Sequence, residues 1–533
     1  MPTALGSDDS PSTFHPMSTT LPSLDPATGL TFATLTTAAP ADIQHAMAAA
    51  REAQATWALT SFRHRRSVLR RFQNLLFSER RRVAELISRE AGKPLAEALL
   101  TDVAVTLDLA RYFTAAGATV LRPERIRLGN LAFFGRSARM YWEPLGVIGV
   151  IAPWNYPLLL PFGDIIPALL AGNAVLLKPS EFTTQVALAG VELLHRAGVP
   201  PALCQIVAGG GATGAALIEA RPDKIFFTGS VRTGTRVAQE AAARLIPVNL
   251  ELGGSDAFIV LADADLARAA SGATWARFTN SGQTCVAGKR VIVEQAVHDR
   301  FVDLLVAKAT RLQLGPGLAP GSEVGPVIRA SQLAELERQL AEAVARGARI
   351  RCGGRRRPDL GETFFEPTVV TDVPLDSALW REEVFGPILP VIPARDAEEA
   401  LRLANDSTFA LSGSIWTGDR ARGVALARRI AGGVILVNDA TSHVGAAEIP
   451  HGGDKASGLG RTHGVLGLRE MVRPKVVMSD WLDGMRKPWW FGYAAESLPA
   501  RDAFLQLAFG PTWWSRLRAV PGALRLLFNR RAV

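Results

Sequence analysis

Cysteine is scarce: the chain has 3 in 533 residues, Cys204, Cys285 and Cys352. So few thiols cannot staple a chain of this length, which excludes a disulfide framework and points to a reducing compartment where a thiolate survives. Long apolar runs are missing as well. The nearest, residues 158–177, is broken by Asp164, Pro161 and Pro167, so no membrane-spanning helix is predicted. The opening stretch is polar, carries Asp8 and Asp9, and has no apolar core after a basic start; a signal peptide is not expected. Paired Cys/His sets of metal-binding spacing are absent, so no metal is predicted, and so is a strict Gly-x-Gly-x-x-Gly fingerprint.

What is present is the composition of a folded protein, 48% hydrophobic and 20% charged, long enough for two or three domains. The net charge of +9 raises nucleic acid as a partner. The basic charge is mostly Arg spread along helix-like segments such as 63–82, where Glu79 is interspersed. A solvated helix face accounts for that pattern, and no nucleic-acid partner is expected.

Residues 278–285 read Phe-Thr-Asn-Ser-Gly-Gln-Thr-Cys, which puts Cys285 in a loop of small polar residues just past a helix-like run. Glu251 stands in Glu-Leu-Gly-Gly and Asn155 in Pro-Trp-Asn-Tyr-Pro. A nucleophile, a base and an amide donor on three Gly- or Pro-marked loops make an acyl-transfer site.

Periodicity supplies the frame. Two helices are predicted over 42–91 and another over 101–116, then a short alternating strand at 137–143. Strands at 147–151, 173–177, 205–207, 225–227 and 248–250 alternate with helices at 158–171, 185–197 and 233–243. Such βα units imply a parallel sheet covered on both faces. A second α/β unit follows Gly254, with strands at 257–260 and 291–294, helices at 266–278 and 331–346, and an end near Gly460. A late strand is predicted at 474–479. Between strand and helix, Phe-Thr-Gly-Ser at 227–230 lets backbone N–H groups and the Ser230 hydroxyl approach a pyrophosphate at a helix N-terminus.

Beyond Ser479 the composition shifts. Trp481, Trp489, Trp490, Trp513 and Trp514 are five of the 11 tryptophans. From Ala503 onward there are five arginines (Arg516, Arg518, Arg525, Arg530, Arg531) and no acid. Leu517, Val520, Leu524, Leu527 and Phe528 recur at helical spacing, giving an amphipathic basic helix interrupted at Pro521. It suits either a membrane interface or packing on this chain or a partner subunit, and packing is the favoured reading.

Together and in this order, the Asn155, Glu251 and Cys285 motifs resemble the aldehyde dehydrogenase superfamily over about residues 22–479. The resemblance implies an α/β fold of two doubly wound parallel domains with a small β oligomerisation arm. A disordered polar N-terminus would occupy 1–21 and the nucleotide-binding domain 22–136 and 144–252. The bridging arm would be 137–143 paired with 474–480, the thiol domain 253–473, and the Trp/Arg-rich tail 481–533. The assembly implied is a homodimer or homotetramer, cytoplasmic, with a membrane surface as a further candidate partner through the tail.

The resemblance also gives roles. Lys178 and Glu181 of Lys-Pro-Ser-Glu would bind the adenine-side ribose, with Ser180 between them. Glu383 and Phe385 would hold the nicotinamide ribose. Ile151, Pro153, Trp154, Gly229, Ser230, Gly234, Leu252 and Gly253 complete the cofactor set. A carboxylate at Glu181 disfavours a 2′-phosphate, so NAD is expected, with NADP as the alternative. Cys285 would attack a small-molecule aldehyde, Asn155 and the Cys285 N–H would hold the oxyanion, and Glu251 would activate the hydrolytic water. Relatives that take carboxylate-bearing semialdehydes carry an Arg where this chain has Gly163 and Asp164, which favours an apolar or neutral aldehyde. His451, where Phe is common, reads as a packing or gating substitution. The alternatives are a CoA-acylating enzyme, disfavoured by the presence of Glu251, and a non-catalytic membrane-associated scaffold.

Overall fold

Every residue of the strands Val147–Ile151 and Ala174–Lys178 is buried. A strand covered on both faces reads as a continuous apolar run, as parallel sheets do. In the computed structural model, which describes residues 20–528 apart from 131–132, 483–486, 488, 492 and 494, these two strands are neighbours in a 6-stranded sheet. Its order is Gly458–Leu459, Val248–Glu251, Lys224–Thr228, Val147–Ile151, Ala174–Lys178, Cys204–Ile206. All pairs are parallel except the first. The chain order reverses at Val147–Ile151, so the loops after it and after Lys224–Thr228 diverge and leave a crevice at the carboxyl ends.

A second sheet has 7 strands, ordered Arg349–Cys352, Thr368–Thr371, Ile388–Ala394, Gly288–Glu294, Asp256–Val260, Ser412–Trp416, Val434–Val437. Separate apolar cores lie on its two faces, one around Ile259, Leu336 and Trp380, the other around Phe258, Phe301 and Trp416. The α/β class with doubly wound sheets is therefore the observed one. The two sheets do not part at residue 252: both belong to one compact unit, up to Ala118 and from Pro144 to Met471. Polar stitching crosses that point, where Asn155 Nδ2 donates to Gln283 O (3.1 Å) and Asn280 Nδ2 to Asn155 O (2.9 Å).

The other unit comprises Thr119–Glu143 and Val472–Val533, so the arm is wider than 137–143 with 474–480. Its sheet has 3 strands, Val472–Asp480 beside Arg136–Pro144 beside Glu124–Ile126. Arg136 pairs with Asp480 (3.2 Å) and stacks on Trp489 (4.5 Å), which ties the start of the tail to the arm.

Several expected elements differ. Residues 42–91 form three helices, Pro40–Ala58, Phe62–Ser78 and Arg80–Ala91. Ser61 starts the second by accepting from His64 N (3.1 Å), and Glu79, at φ −100, interrupts the helix while the apolar spacing runs on. The helix expected at 101–116 runs Ala104–Val120, entered through a π turn, Ala98–Val103. At the N-terminus, Thr20 and Leu21 already belong to a strand, Thr20–Leu24, paired with Thr31–Thr36; the rest of the expected disordered stretch lies outside the described residues. The tail forms two helices, Leu498–Phe509 and Trp513–Phe528, and the second continues through Pro521. The carbonyl deprived of its partner there is that of Leu517, a residue on the exposed side of the helix. Arg530, Arg531 and the side chains of Leu527 and Phe528 lie outside the described residues.

Candidate active site

The loop that carries Cys285 is held in an unusual backbone state. After the helix Leu266–Phe278, Asn280 (φ 50), Ser281 (φ 55) and Gly282 (φ 75) are left-handed in succession. Short polar side chains tolerate that region, and here each is fastened. Asn280 N donates to Glu97 (2.8 Å), and Ser281 Oγ donates to Gly325 O (2.8 Å). A Cβ at position 282 would come 2.3 Å from Gly386 O, so only glycine fits. Gln283 joins the lock: its Oε1 accepts from Ile328 N (2.9 Å).

The turn delivers Cys285 to the wall of a cavity of about 320 Å³, which Asn155, Glu251 and Glu383 also line. The three residues expected to do the chemistry are therefore brought together. Asn155 begins the stretch leading into the helix Leu159–Ala171. The backbone N–H groups of Leu158 and Leu159 donate to Asp102 (3.3 and 3.2 Å), whose charge is matched by buried Lys93 at 2.5 Å. Asn155 Nδ2 donates one bond, to Gln283 O (3.1 Å), while its buried Oδ1 accepts none. The second Nδ2 hydrogen is thus uncommitted. Close packing at Glu-Leu-Gly-Gly needs the second glycine, since a Cβ on Gly254 would meet Cys285 O at 2.7 Å, while one on Gly253 would push the Glu383 carboxylate aside.

Charge at the site is strongly displaced. Burial pushes the Cys285 thiol up to about 12, although nearby Lys289 pulls the other way. The resting side chain is a thiol, not the thiolate that nucleophilic attack requires. Lys289 Nζ is itself engaged, by Cys285 O (2.5 Å) and Glu383 (3.1 Å). Glu251 lies well above the usual carboxylate range, first through burial and then through neighbouring Asp164. Both its oxygens are buried and accept no hydrogen bond. Without a donor to favour the anion, the carboxyl is a poor resting anion and a strong base once ionised.

A second cavity, of about 560 Å³, opens at the crevice where the strand order reverses. Ile151, Pro153, Trp154, Lys178, Ser180, Glu181, Gly229 and Ser230 line it, as expected of cofactor residues. Leu252, Gly253, Glu383 and Phe385 line the cavity around Cys285 instead. The two share Pro153, Trp154, Thr228, Gly229, Ser230 and Arg329, so they form one continuous cleft. Gly234 lines neither: it is buried, and a Cβ there would strike Leu252 at 2.4 Å, which makes it a spacer. The Ser230 hydroxyl is occupied as an N-cap, accepting from Thr233 N (3.3 Å) and donating to Thr233 Oγ1 (3.0 Å). Glu181 faces Lys178 at 3.6 Å, so the ribose-binding carboxylate and the cation beside it are paired.

Two features escaped the sequence. Arg329 lies over the Phe182 ring (4.9 Å), with a buried Nε that has no partner, on the wall common to both cavities. A lone Arg before a helix gives no sequence signal. The second is a stack of buried imidazoles, His443 to His451 at 5.5 Å and His451 to His463 at 5.9 Å. His451 Nε2 is 3.7 Å from Glu251. Burial lowers all three, to about 3, 4 and 3 in that order, so they are neutral and the His451–Glu251 approach is no ion pair. His451, which reads from the sequence as a packing or gating substitution, lies against the base itself.

A family model described as the aldehyde dehydrogenase family matches residues 14–477. Among curated relatives, 4,4'-diapolycopene aldehyde oxidase of a Methylomonas species is 38% identical over 492 residues, covering 92% of each chain. A Mycobacterium ulcerans protein provisionally named succinate-semialdehyde dehydrogenase (NADP(+)) 2 is 38% identical, covering 84% of this chain and 86% of its own. Among solved structures, an NAD+ complex of aldehyde dehydrogenase from Bacillus cereus has a TM-score of 0.83 at 33% identity, covering 86% of this chain and 93% of that one.

Proposed function

The chain belongs to the aldehyde dehydrogenase family and oxidises an aldehyde with NAD(P), and from that premise we propose which residues carry the reaction and which aldehydes enter. The observation behind the assignment is the meeting of Cys285, Glu251 and Asn155 on one cavity wall. Cys285 gives up its thiol proton to solvent as Sγ adds to the aldehyde carbon, and the oxyanion that forms takes its hydrogen bonds from Asn155 Nδ2 and the Cys285 N–H. NAD(P), when bound, supplies the hydride acceptor. Loss of hydride from the adduct leaves a thioester on Cys285. Glu251 removes a proton from water as it attacks the thioester, and the C–S bond breaks to give the acid.

The cofactor fits the cleft: its walls carry Lys178, Glu181 and the unpartnered Nε of Arg329, and a glycine at 229 allows close backbone approach. Glu181 supports NAD over NADP, while its pairing with Lys178 lessens the charge opposed to a 2′-phosphate. Water as acyl acceptor rests on Glu251, whose unpartnered carboxyl has no structural bond to make.

For the substrate we infer an apolar or neutral aldehyde. The positions where relatives that take carboxylate-bearing semialdehydes carry an Arg hold Gly163 and Asp164 here, so no cation stands there to meet a substrate carboxylate. The relative named for an aldehyde of 4,4'-diapolycopene supports the apolar reading, and the one named for succinate semialdehyde supports the other. For further partners, the exposed Val476, Val477 and Met478 on the strand Val472–Asp480 support pairing with another copy of this chain. A membrane surface as a further partner rests on the C-terminal helices. The test is NADH formation over aldehydes of varied length and charge. Medium or long apolar aldehydes should give the highest kcat/KM, and Cys285→Ala should abolish turnover while leaving NAD binding intact. A preference for succinic semialdehyde overturns the substrate reading, and turnover by Cys285→Ala overturns the nucleophile.

A further inference from the structure

The helices Leu498–Phe509 and Trp513–Phe528 pack as a hairpin with their residue sizes inverted. Small residues make the seam: Ala519 and Ala523 are buried, and a Cβ on Gly522 would lie 2.6 Å from the Ala503 Cβ. Phe504, Leu507 and Val520 are half-buried, but most of the described large apolar side chains face outward. Leu505, Phe509, Trp513, Trp514, Leu517 and Leu524 are all between 45% and 63% exposed. In water the hydrophobic effect selects the opposite arrangement, with large side chains between the helices and small ones outside. Small residues at a helix–helix seam, with large apolar groups turned outward, are what packing in lipid produces.

Charge selects the kind of surface. No acidic residue follows Asp502, and Arg516, Arg518 and Arg525 lie on the same helix as the exposed Trp pair. A second copy brought face to face would set these three cations against their equivalents with only the exposed Asp502 of each hairpin to pair them. An anionic bilayer complements them and offers a depth at which Trp rings and Arg head groups are both satisfied. The helix of 16 residues is about 24 Å long, short of a hydrocarbon core of roughly 30 Å. No helix among the described residues is long and apolar enough to cross a membrane. We propose that this hairpin lies flat in the headgroup region of an anionic lipid bilayer, holding the enzyme at the surface. The inference stands on the hairpin alone and does not depend on the substrate reading.

The test uses the full chain with vesicles of phosphatidylcholine, pure or mixed with phosphatidylglycerol. The protein should sediment with the mixed vesicles, less so as salt rises, and its Trp emission should shift to the blue. Arg518→Gln with Arg525→Gln should weaken binding about thirtyfold, near fivefold per cation. Trp513→Ala with Trp514→Ala should remove most of the blue shift. Both variants should keep turnover on a short water-soluble aldehyde, which shows that they are folded. Protein that stays in the supernatant with both vesicle types overturns the proposal. If the Trp variants then also change the oligomeric state by light scattering, a second copy covers the hairpin. Binding indifferent to all four substitutions overturns it too, by placing the contact elsewhere.

Discussion

Truncating the amide at position 155 separates catalysis from folding more cleanly than any other change in this site. Asn155→Ala removes one structural hydrogen bond, Nδ2 to Gln283 O at 3.1 Å. Gln283 O keeps a partner, because Asn280 Nδ2 also donates to it at 3.3 Å, and the bond from Asn280 to the Asn155 backbone carbonyl survives. The substitution also deletes an Oδ1 that accepts nothing in the resting state. The cost to folding should therefore stay within about 1 kcal/mol, the net worth of one ordinary hydrogen bond. The transition state loses far more. An oxyanion donor is worth roughly 3–4 kcal/mol, so kcat should fall by about 10²–10³. The assay is NADH formation at saturating aldehyde and cofactor, beside a thermal melt of the same preparation. Wild-type kcat in a folded variant would refute the assignment. So would a large drop in Tm with turnover per folded molecule unchanged, since Asn155 would then be structural.

Glu251→Gln should leave acylation intact and stall deacylation: a burst of about one NADH per subunit, then turnover slower by roughly 10²–10⁴, the usual worth of a general base. Steady turnover at the wild-type rate would remove Glu251 from the hydrolytic step. In the wild type, the acid limb of kcat should lie well above the ordinary carboxylate value of 4.5, because burial raises Glu251 and its base form is lost as pH falls through that raised value. A limb at the ordinary value would contradict the burial argument. Alkylation of Cys285 by iodoacetamide in the absence of cofactor should climb about tenfold per pH unit with no plateau near neutrality, since its thiol is pushed up to about 12. A plateau there would mean a stable resting thiolate. Glu181→Ser should narrow or invert the NAD over NADP ratio of kcat/KM, and an unchanged ratio would shift cofactor choice to another group such as Arg236, which lines the same cavity.

The strands of the first sheet were legible because burial on both faces leaves a continuous apolar run with turn residues at each end, as at 147–151 and 174–178. Where periodicity ran on without a strong breaker, boundaries blurred. Ser61 and Glu79 interrupt 42–91 twice, yet the amphipathic spacing across Glu79 stays nearly in phase, so two helices read as one. Pro521 misled in the opposite direction. The proline predicts an interrupted tail helix, whereas the helix continues past it, the lost hydrogen bond falling at exposed Leu517. The inverted hairpin could not be read at all from spacing, since the same sequence fits large residues inside or outside; only the contact of Ala503 with Gly522 decides it.

At the active site, local sequence marks the residues that need a special backbone, and tertiary packing sets their charge. Asn280, Ser281 and Gly282 announce a tight turn in their own types, and the turn leads to Cys285. Nothing in Phe-Thr-Asn-Ser-Gly-Gln-Thr-Cys says that the thiol is held protonated, because the cause is burial among Glu383, Asp256 and Glu251 from other segments. The histidines make the same point more sharply. His443, His451 and His463 share no periodic spacing, yet they stack within 5.9 Å of one another in succession and reach Glu251. Each is held neutral mainly by burial, and Arg461 further disfavours a charge on His451. A neutral imidazole 3.7 Å from the carboxyl excludes bulk water without supplying a counter-charge. The raised affinity of Glu251 for a proton agrees with that: burial, to which this wall contributes, and then Asp164 penalise the anion more than Arg461 relieves it, so the group that must take a proton from water holds it strongly. A charged Lys or Arg at position 451 would seal the same space and lower Glu251 toward an ordinary carboxylate, which is why the chemistry of this wall depends on its neutrality as much as on its bulk.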